Sequence, residues 1–184
     1  MKCGIERETS TMISSSFWVA YAVGGVVIGR LAKKYQRRRI FYLVCSFLLF
    51  VSVLPIIYGP PSMPLAVIVA CNVTSGFANG VSSIAYVLVR EYNECLSCKD
   101  TASGVVNSLS VSSGFIMQFL VGVLMDISWT RRGGNDFYDE TEAERMYAVS
   151  DYNFAFTIFP VVGALAFVLS FCVRETHGIP LTSL

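Results

Sequence analysis

The chain runs for fifty residues, from Ile40 to Val89, without a charged side chain. The hydrocarbon core of a bilayer is about 30 Å thick and takes about 20 helical residues to cross. Fifty residues therefore hold two spans, with the turn 59–62 (Gly-Pro-Pro-Ser) between them. The stretch predicts a membrane hairpin whose two charged ends lie on the same side of the bilayer.

The charged residues at these ends predict which side that is. Six basic residues precede the stretch and one follows it, namely Arg30, Lys33, Lys34, Arg37, Arg38, Arg39 and Arg90. Lys and Arg clustered near span ends are retained in the cytoplasm, so this side is predicted to be cytoplasmic. Because the cluster directly adjoins apolar spans, it has a topological explanation and does not indicate nucleic-acid binding.

Composition and spacing extend the hairpin to five spans. Hydrophobic residues make up 54% of the chain, charged residues 15%, and the mean hydropathy is +0.57, which favours a bilayer over water as the solvent. Three more stretches lack charge, at 9–29, 101–125 and 152–173. We predict an all-α integral membrane protein, a single membrane domain over residues 1–184 with a cytoplasmic C-terminus. The predicted spans are 13–32, 40–58, 64–89, 103–126 and 152–173.

Polar side chains recur at helical spacing in the third and fourth spans, and polar groups in hydrocarbon need partners. The candidates for a substrate pathway are Asn72, Ser75, Asn79 and Tyr86 in the third span and Asn107 and Gln118 in the fourth. For the Ser and Gly positions, close helix packing is the favoured alternative. For the carboxamides, pathway lining is favoured, because they are costly to bury and carry both a donor and an acceptor.

The sequence gives little indication of an enzyme active site. Cys95 and Cys98 have the spacing of a zinc half-site, but His177 is the sole histidine and no second Cys pair is near. No paired carboxylates or Ser/His/Asp set lie at a membrane face. We therefore predict no catalytic residues, no metal site and no cofactor.

The first loop, Gly29 to Arg38, resembles the signature loop of the major facilitator superfamily, in which Gly, an acid, a basic residue, Gly and two basic residues recur in fixed order. Gly29, Lys34, Arg37 and Arg38 match this pattern. Lys33 stands in place of the acid and Gln36 in place of the second Gly. Such departures are usual for the second copy of the loop, between helices eight and nine of the twelve.

The resemblance implies a C-terminal portion of a permease, helices eight to twelve, whose first seven helices are lacking and which is inactive alone. It implies alternating-access transport of a small polar solute, such as an amino acid, peptide, sugar or organic acid, in a bacterial inner (plasma) membrane. It implies that the third span lines the central cavity and that the first and fourth spans flank it. It also implies a cytoplasmic gate made of Gly29, Arg30, Lys33, Lys34, Arg37, Arg38, Arg90 and Glu91.

A second hypothesis is a five-span accessory subunit of the membrane. It would bind a partner through the small-residue faces of its first, third and fourth spans. Stable membrane insertion alone, together with copurification of an unrelated partner, would distinguish it from a transporter.

Overall fold

The computed structural model describes residues 7–60, 62–93, 96–133 and 147–175. Within these ranges every regular element is a helix. The helices are α1 (Arg7–Tyr35), α2 (Arg38–Tyr58), α3 (Leu65–Asn79), α4 (Ser82–Tyr92), α5 (Leu96–Arg131), α6 (Val149–Phe156) and α7 (Ile158–Ser170).

Five helical segments are long and apolar enough to cross a membrane, which confirms the predicted fold class. They are Glu8–Tyr35, Arg38–Tyr58, Leu65–Tyr92, Cys98–Arg131 and Val149–Ser170. Helices satisfy their own backbone hydrogen bonds, which is why they suit a solvent that offers none. The fourth segment extends past the predicted 103–126 at both ends, because helix formation continues where the chain leaves the bilayer.

Two of the five segments contain a break. Between α3 and α4 the N–H groups of Gly80 and Val81 bond to carbonyls three residues back, at 3.1 Å each, which is a 3₁₀ turn. Between α6 and α7 the break at Thr157 precedes Pro160, which has no N–H to continue the α-helical ladder. Each pair of helices therefore forms one span with an internal joint.

The core lies where α1, α2 and the α3–α4 span meet. It contains Ile28 and Ala32 of α1, Cys45 of α2, and Ala78 and Ile84 of the third span. α3 packs between α1 and α2, and α2 packs on its other side against α7. α5 contacts α4 and α6 at the edge of this bundle.

Candidate transport pathway and basic end

In the polar stripe of α3, Asn72 faces α1. Asn72 donates from Nδ2 to the Ile13 carbonyl at 2.7 Å, and its Nδ2 lies 3.4 Å from Ser16 Oγ. Ser75 is buried and donates back to carbonyls of its own helix. Helix packing thus satisfies the Asn72 carboxamide donor in this arrangement.

Glycines let α1 and α3 approach until their backbones touch. A Cβ on Gly24 would overlap the Phe77 carbonyl, and one on Gly76 would overlap the Phe17 carbonyl. A Cβ on Gly80 would meet the backbone of Gly24 and its neighbour. Small residues at such crossings are what allow membrane helices to pack closely without a hydrophobic driving force.

Asn79 and Tyr86 lie further along the third span. Asn79 is half-buried, and its carboxamide has no hydrogen bond in the described part of the chain. Tyr86 donates from its hydroxyl to Asn107 Oδ1 at 3.1 Å, which joins α4 to α5. The structure therefore brings together one predicted residue from each polar stripe.

Gln118 lines a groove of about 420 Å³ between α5 and the fifth span. Ser113, Gly114 and Met117 share one wall with it, and Phe156 and Phe159 form the other. Gln118 lies eleven residues after Asn107, which is three helical turns on the same face, or about 16 Å along the axis. Both carboxamides are exposed, so α5 presents a polar face that α4 and the fifth span cover only in part.

A buried ion pair ties the basic end of the bundle together. Arg38 at the start of α2 donates to Glu91 Oε1 near the end of α4 at 2.8 Å, with side chains 7% and 14% exposed. The Glu175 carboxylate accepts hydrogen bonds from the backbone N–H groups of Arg38 and Arg39. An acid at this position satisfies the free donors of a helix N-terminus and complements its dipole.

The other predicted gate residues lie at the same end of the bundle as this pair. Five of them are exposed, namely Arg30, Lys33, Lys34, Arg37 and Arg90. A Cβ atom added at Gly29 would lie 3.8 Å from Ser83 Oγ. A pocket of about 400 Å³ opens between α1 and α4, and Lys33, Arg38 and Glu91 line it. Lys33 and Arg38 therefore lie at one pocket rather than at separate surfaces.

A family model described as Major Facilitator Superfamily matches residues 3–182. The chain belongs to this superfamily. Its members are membrane transporters in general, which agrees with the five spans of the structure. Comparison with curated proteins found no match, and neither did comparison with solved structures.

The loop that resembles the superfamily signature has a left-handed residue at one position where its sequence departs from the pattern. Gln36, at the position where the signature has Gly, adopts φ 52°. Glycine adopts this left-handed conformation without strain, whereas other residues pay about 1–2 kcal/mol. The fold of the loop thus explains why the signature has a glycine there.

Three features of the structure were not predicted from the sequence. Asp151, at the start of α6, is 0% exposed and accepts from Ser128 Oγ at 2.8 Å, Arg132 at 2.7 Å and the Ala148 N–H at 2.8 Å. Glu175 caps α2, and the Phe156 and Phe159 rings line the groove. The position of Asp151 in the first turn of a span could have indicated its structural role, since acids are favoured near helix N-termini.

No group of three or more His, Cys, Asp or Glu side chains that could hold a metal occurs among the described residues. Cys95 of the Cys95/Cys98 pair lies outside them.

Proposed function

We propose that this chain is part of a secondary transporter that moves a small polar solute by alternating access, and that its five spans form one wall of the pathway. The polar face of α5 carries the proposal. Asn107 and Gln118 are exposed on one face of a membrane-length helix, where contact with hydrocarbon would leave their amides unsatisfied. Water, solute or further helices of the same permease must cover that face.

The solute class follows from what lines the face. Carboxamides and hydroxyls at Asn107, Ser113 and Gln118 both donate and accept hydrogen bonds, which suits amino acids, short peptides, sugars and organic acids. The Phe156 and Phe159 rings, with centroids 5.9 Å apart, add an apolar wall. Asn79 and Tyr86 extend this surface onto the third span, while Asn72 and Ser75 stabilise the α1–α3 contact beside it.

The basic end is proposed to be the cytoplasmic gate, with the C-terminus on the same side, in a bacterial inner membrane. Arg38, Glu91 and Glu175 tie three spans of this chain into one unit. The exposed Lys33, Lys34, Arg37 and Arg90 remain for contacts with the opposing half of the permease, which would form and break as the halves rock.

The accessory-subunit hypothesis receives less support from the packing. Its small-residue faces in the first and third spans are occupied by each other, because Gly24, Gly76 and Gly80 lie in the α1–α3 contact. Gly104, Gly114 and Gly122 of α5 have no described atom within 4 Å of an added Cβ. Under the accessory-subunit hypothesis, α5 would therefore be the helix that binds the partner.

Thiol labelling tests whether the α5 face lines a water-filled pathway. In a variant without native cysteines, Gln118→Cys and Asn107→Cys should react with a water-soluble maleimide in membranes. Leu109→Cys is the matched control, since Leu109 is 65% exposed on the opposite face of the same helix and should lie in lipid. Equal labelling at all three positions would remove the pathway assignment.

Transport itself is tested by co-expressing the chain with a seven-helix first half of a permease and measuring uptake from a panel of the four solute classes. We expect Gln118→Ala to raise KM and Leu109→Ala to leave it unchanged. An unchanged KM in Gln118→Ala, in a transporter that works, would exclude Gln118 from the binding site.

A further inference from the structure

The fifth span consists of two segments that are held by different neighbours. α6 packs mainly against α5, whereas α7 packs against α2. The buried Asp151 fastens α6 to α5 through Arg132, at 2.7 Å. On α7, a Cβ added at Gly163 would lie 3.6 Å from the Phe50 Cα, so α7 and α2 lie close together. The joint at Thr157 therefore lies between a segment that belongs with α5 and a segment that belongs with α2.

Few regular hydrogen bonds cross this joint. Pro160 has no N–H group and cannot donate to the Phe156 carbonyl four residues before it. The Thr157 N–H is shared between the carbonyls of Asn153 and Phe154, at 3.2 and 3.3 Å. Helices kink where the α-helical ladder is interrupted in this way. A change of angle between α6 and α7 therefore breaks few backbone hydrogen bonds.

One side chain of α2 contacts the joint. Tyr58, the last residue of α2, has its hydroxyl 2.9 Å from Thr157 Oγ1. Thr157 Oγ1 donates its hydrogen to the Asn153 carbonyl at 2.8 Å, so Tyr58 is the donor to Thr157. This hydrogen bond links α2 through Thr157 to the last turn of α6. A bend that carries Thr157 away from α2 must break it.

Phe156, the last residue of α6, lies between two pockets. One is the groove of about 420 Å³ beside Gln118. The other, which we call the distal pocket, also has about 420 Å³ and lies between α2 and α6 at the end of the bundle opposite the basic end. The residues that line the distal pocket are Ile56, Ile57, Tyr147, Val149, Tyr152, Asn153 and Phe156. Phe156 is the residue that the two linings share, so it stands between the groove and this end of the bundle.

We propose that Phe156 is the barrier between the groove and the distal pocket, and that Tyr58 is the residue that positions it through Thr157. The proposal rests on the proposed function, in which the groove is part of the solute pathway. While the Tyr58 hydrogen bond is made, the ring stays between the two spaces. When it breaks, α5 and α6 move together about Thr157, and the ring opens a passage between the groove and the distal pocket. Phe156 thereby limits the size of the solute that passes.

Distances between spin labels test this movement in the chain alone, in lipid nanodiscs. In a variant without native cysteines, labelled cysteines are placed in pairs at exposed positions of α6 and α2, of α6 and α5, and of α7 and α2. The pairs are Phe154 with Val51, Phe154 with Ile127, and Leu165 with Val51. Loss of one hydrogen bond corresponds to about fivefold in a population, so Tyr58→Phe should raise a second α6–α2 distance about fivefold. The other two distances should not change.

Tyr92→Phe is the matched control for these distances. It removes a tyrosine hydrogen bond at the basic end, to the Arg174 carbonyl, and should leave all three pairs unchanged. An unchanged α6–α2 distance in Tyr58→Phe would overturn the movement about Thr157. Equal changes in all three pairs would also overturn it, because they would show a general loosening of the bundle.

Uptake after co-expression with a seven-helix first half of a permease tests the role of the ring. Phe156→Ala should raise the uptake of a bulky solute relative to a small one of the same class. Phe156→Tyr, which keeps a ring, should retain the parent ratio. Phe154→Ala is the matched control, because Phe154 is on the same helix but lines neither pocket.

The two experiments separate this proposal from the proposed function. Equal changes in the uptake of both solutes in Phe156→Ala would exclude the ring as the barrier in a transporter that works. Absence of uptake in the parent would contradict the proposed function and with it the barrier. The spin-label distances would still decide whether α6 moves about Thr157.

Discussion

Individual side chains in this bundle hold elements that are far apart in the sequence. Asn72 ties α3 to α1, Arg38 and Glu91 tie α2 to α4, and Glu175 ties the end of the chain to α2. Each bond satisfies a polar group that would otherwise be buried alone, so its removal costs more than the bond itself contributes. The Arg38–Glu91 pair is the strongest case, because both partners are charged and mostly buried.

A double-mutant cycle on this pair gives the prediction at this scale. Arg38→Met or Glu91→Met alone should destabilise the chain by about 3 kcal/mol, because each leaves a buried charge without its partner. The double variant should cost less than the sum of the two. Thermal unfolding in detergent measures the stability of all three variants. The control is Arg90→Met, which changes the exposed neighbour of Glu91 and should stay within about 0.5 kcal/mol of the parent. Additive costs would show that the ion pair is not formed.

Among the helices, α1 and α3 form the tightest pair and α5 is the least enclosed. The α1–α3 contact depends on glycines that permit backbone contact, whereas α5 contacts mainly α4 and α6. Tyr86 holds the N-terminal half of α5 through Asn107, while the buried Asp151 holds the C-terminal end through Ser128 and Arg132. The length between these attachments carries the groove beside Gln118.

A glycine substitution should therefore have opposite effects in the two helices. Gly76→Ala should destabilise the chain by about 1–3 kcal/mol, because the new methyl group overlaps the Phe17 carbonyl. Gly114→Ala is the matched control and should be neutral or stabilising by up to about 1 kcal/mol, since it meets open space on a helix. Unfolding in detergent compares them, and equal effects of the two would contradict the tight α1–α3 crossing.

At the scale of the whole molecule, the distribution of charge predicts how the bundle is oriented in the membrane. The ends of α1 and α4 and the start of α2 carry the basic cluster, whereas the other end has Asp126 and Asp151 together with two arginines, Arg131 and Arg132. Basic residues flanking spans are retained in the cytoplasm. With that orientation, five spans predict that the segment after α7 also lies on the cytoplasmic side.

Labelling of intact cells tests this orientation. In a variant without native cysteines, Arg131→Cys should react with a membrane-impermeant maleimide added outside. Lys34→Cys, at the opposite end of the bundle, should react only after the cells are permeabilised. The reverse pattern would invert the proposed topology.

The sequence by itself determined the membrane class, the five spans and the family loop. These are local properties, since a span requires only about 20 apolar residues and its orientation only the charges beside it. The tertiary structure decided which neighbour each polar face meets. Helical spacing placed Asn72 and Tyr86 on one stripe, but one bonds to α1 and the other to α5. Glu175 and Arg38 are 137 residues apart, and no local pattern links them. Such pairings follow from packing the whole bundle, because only then do buried donors and acceptors have to find one another.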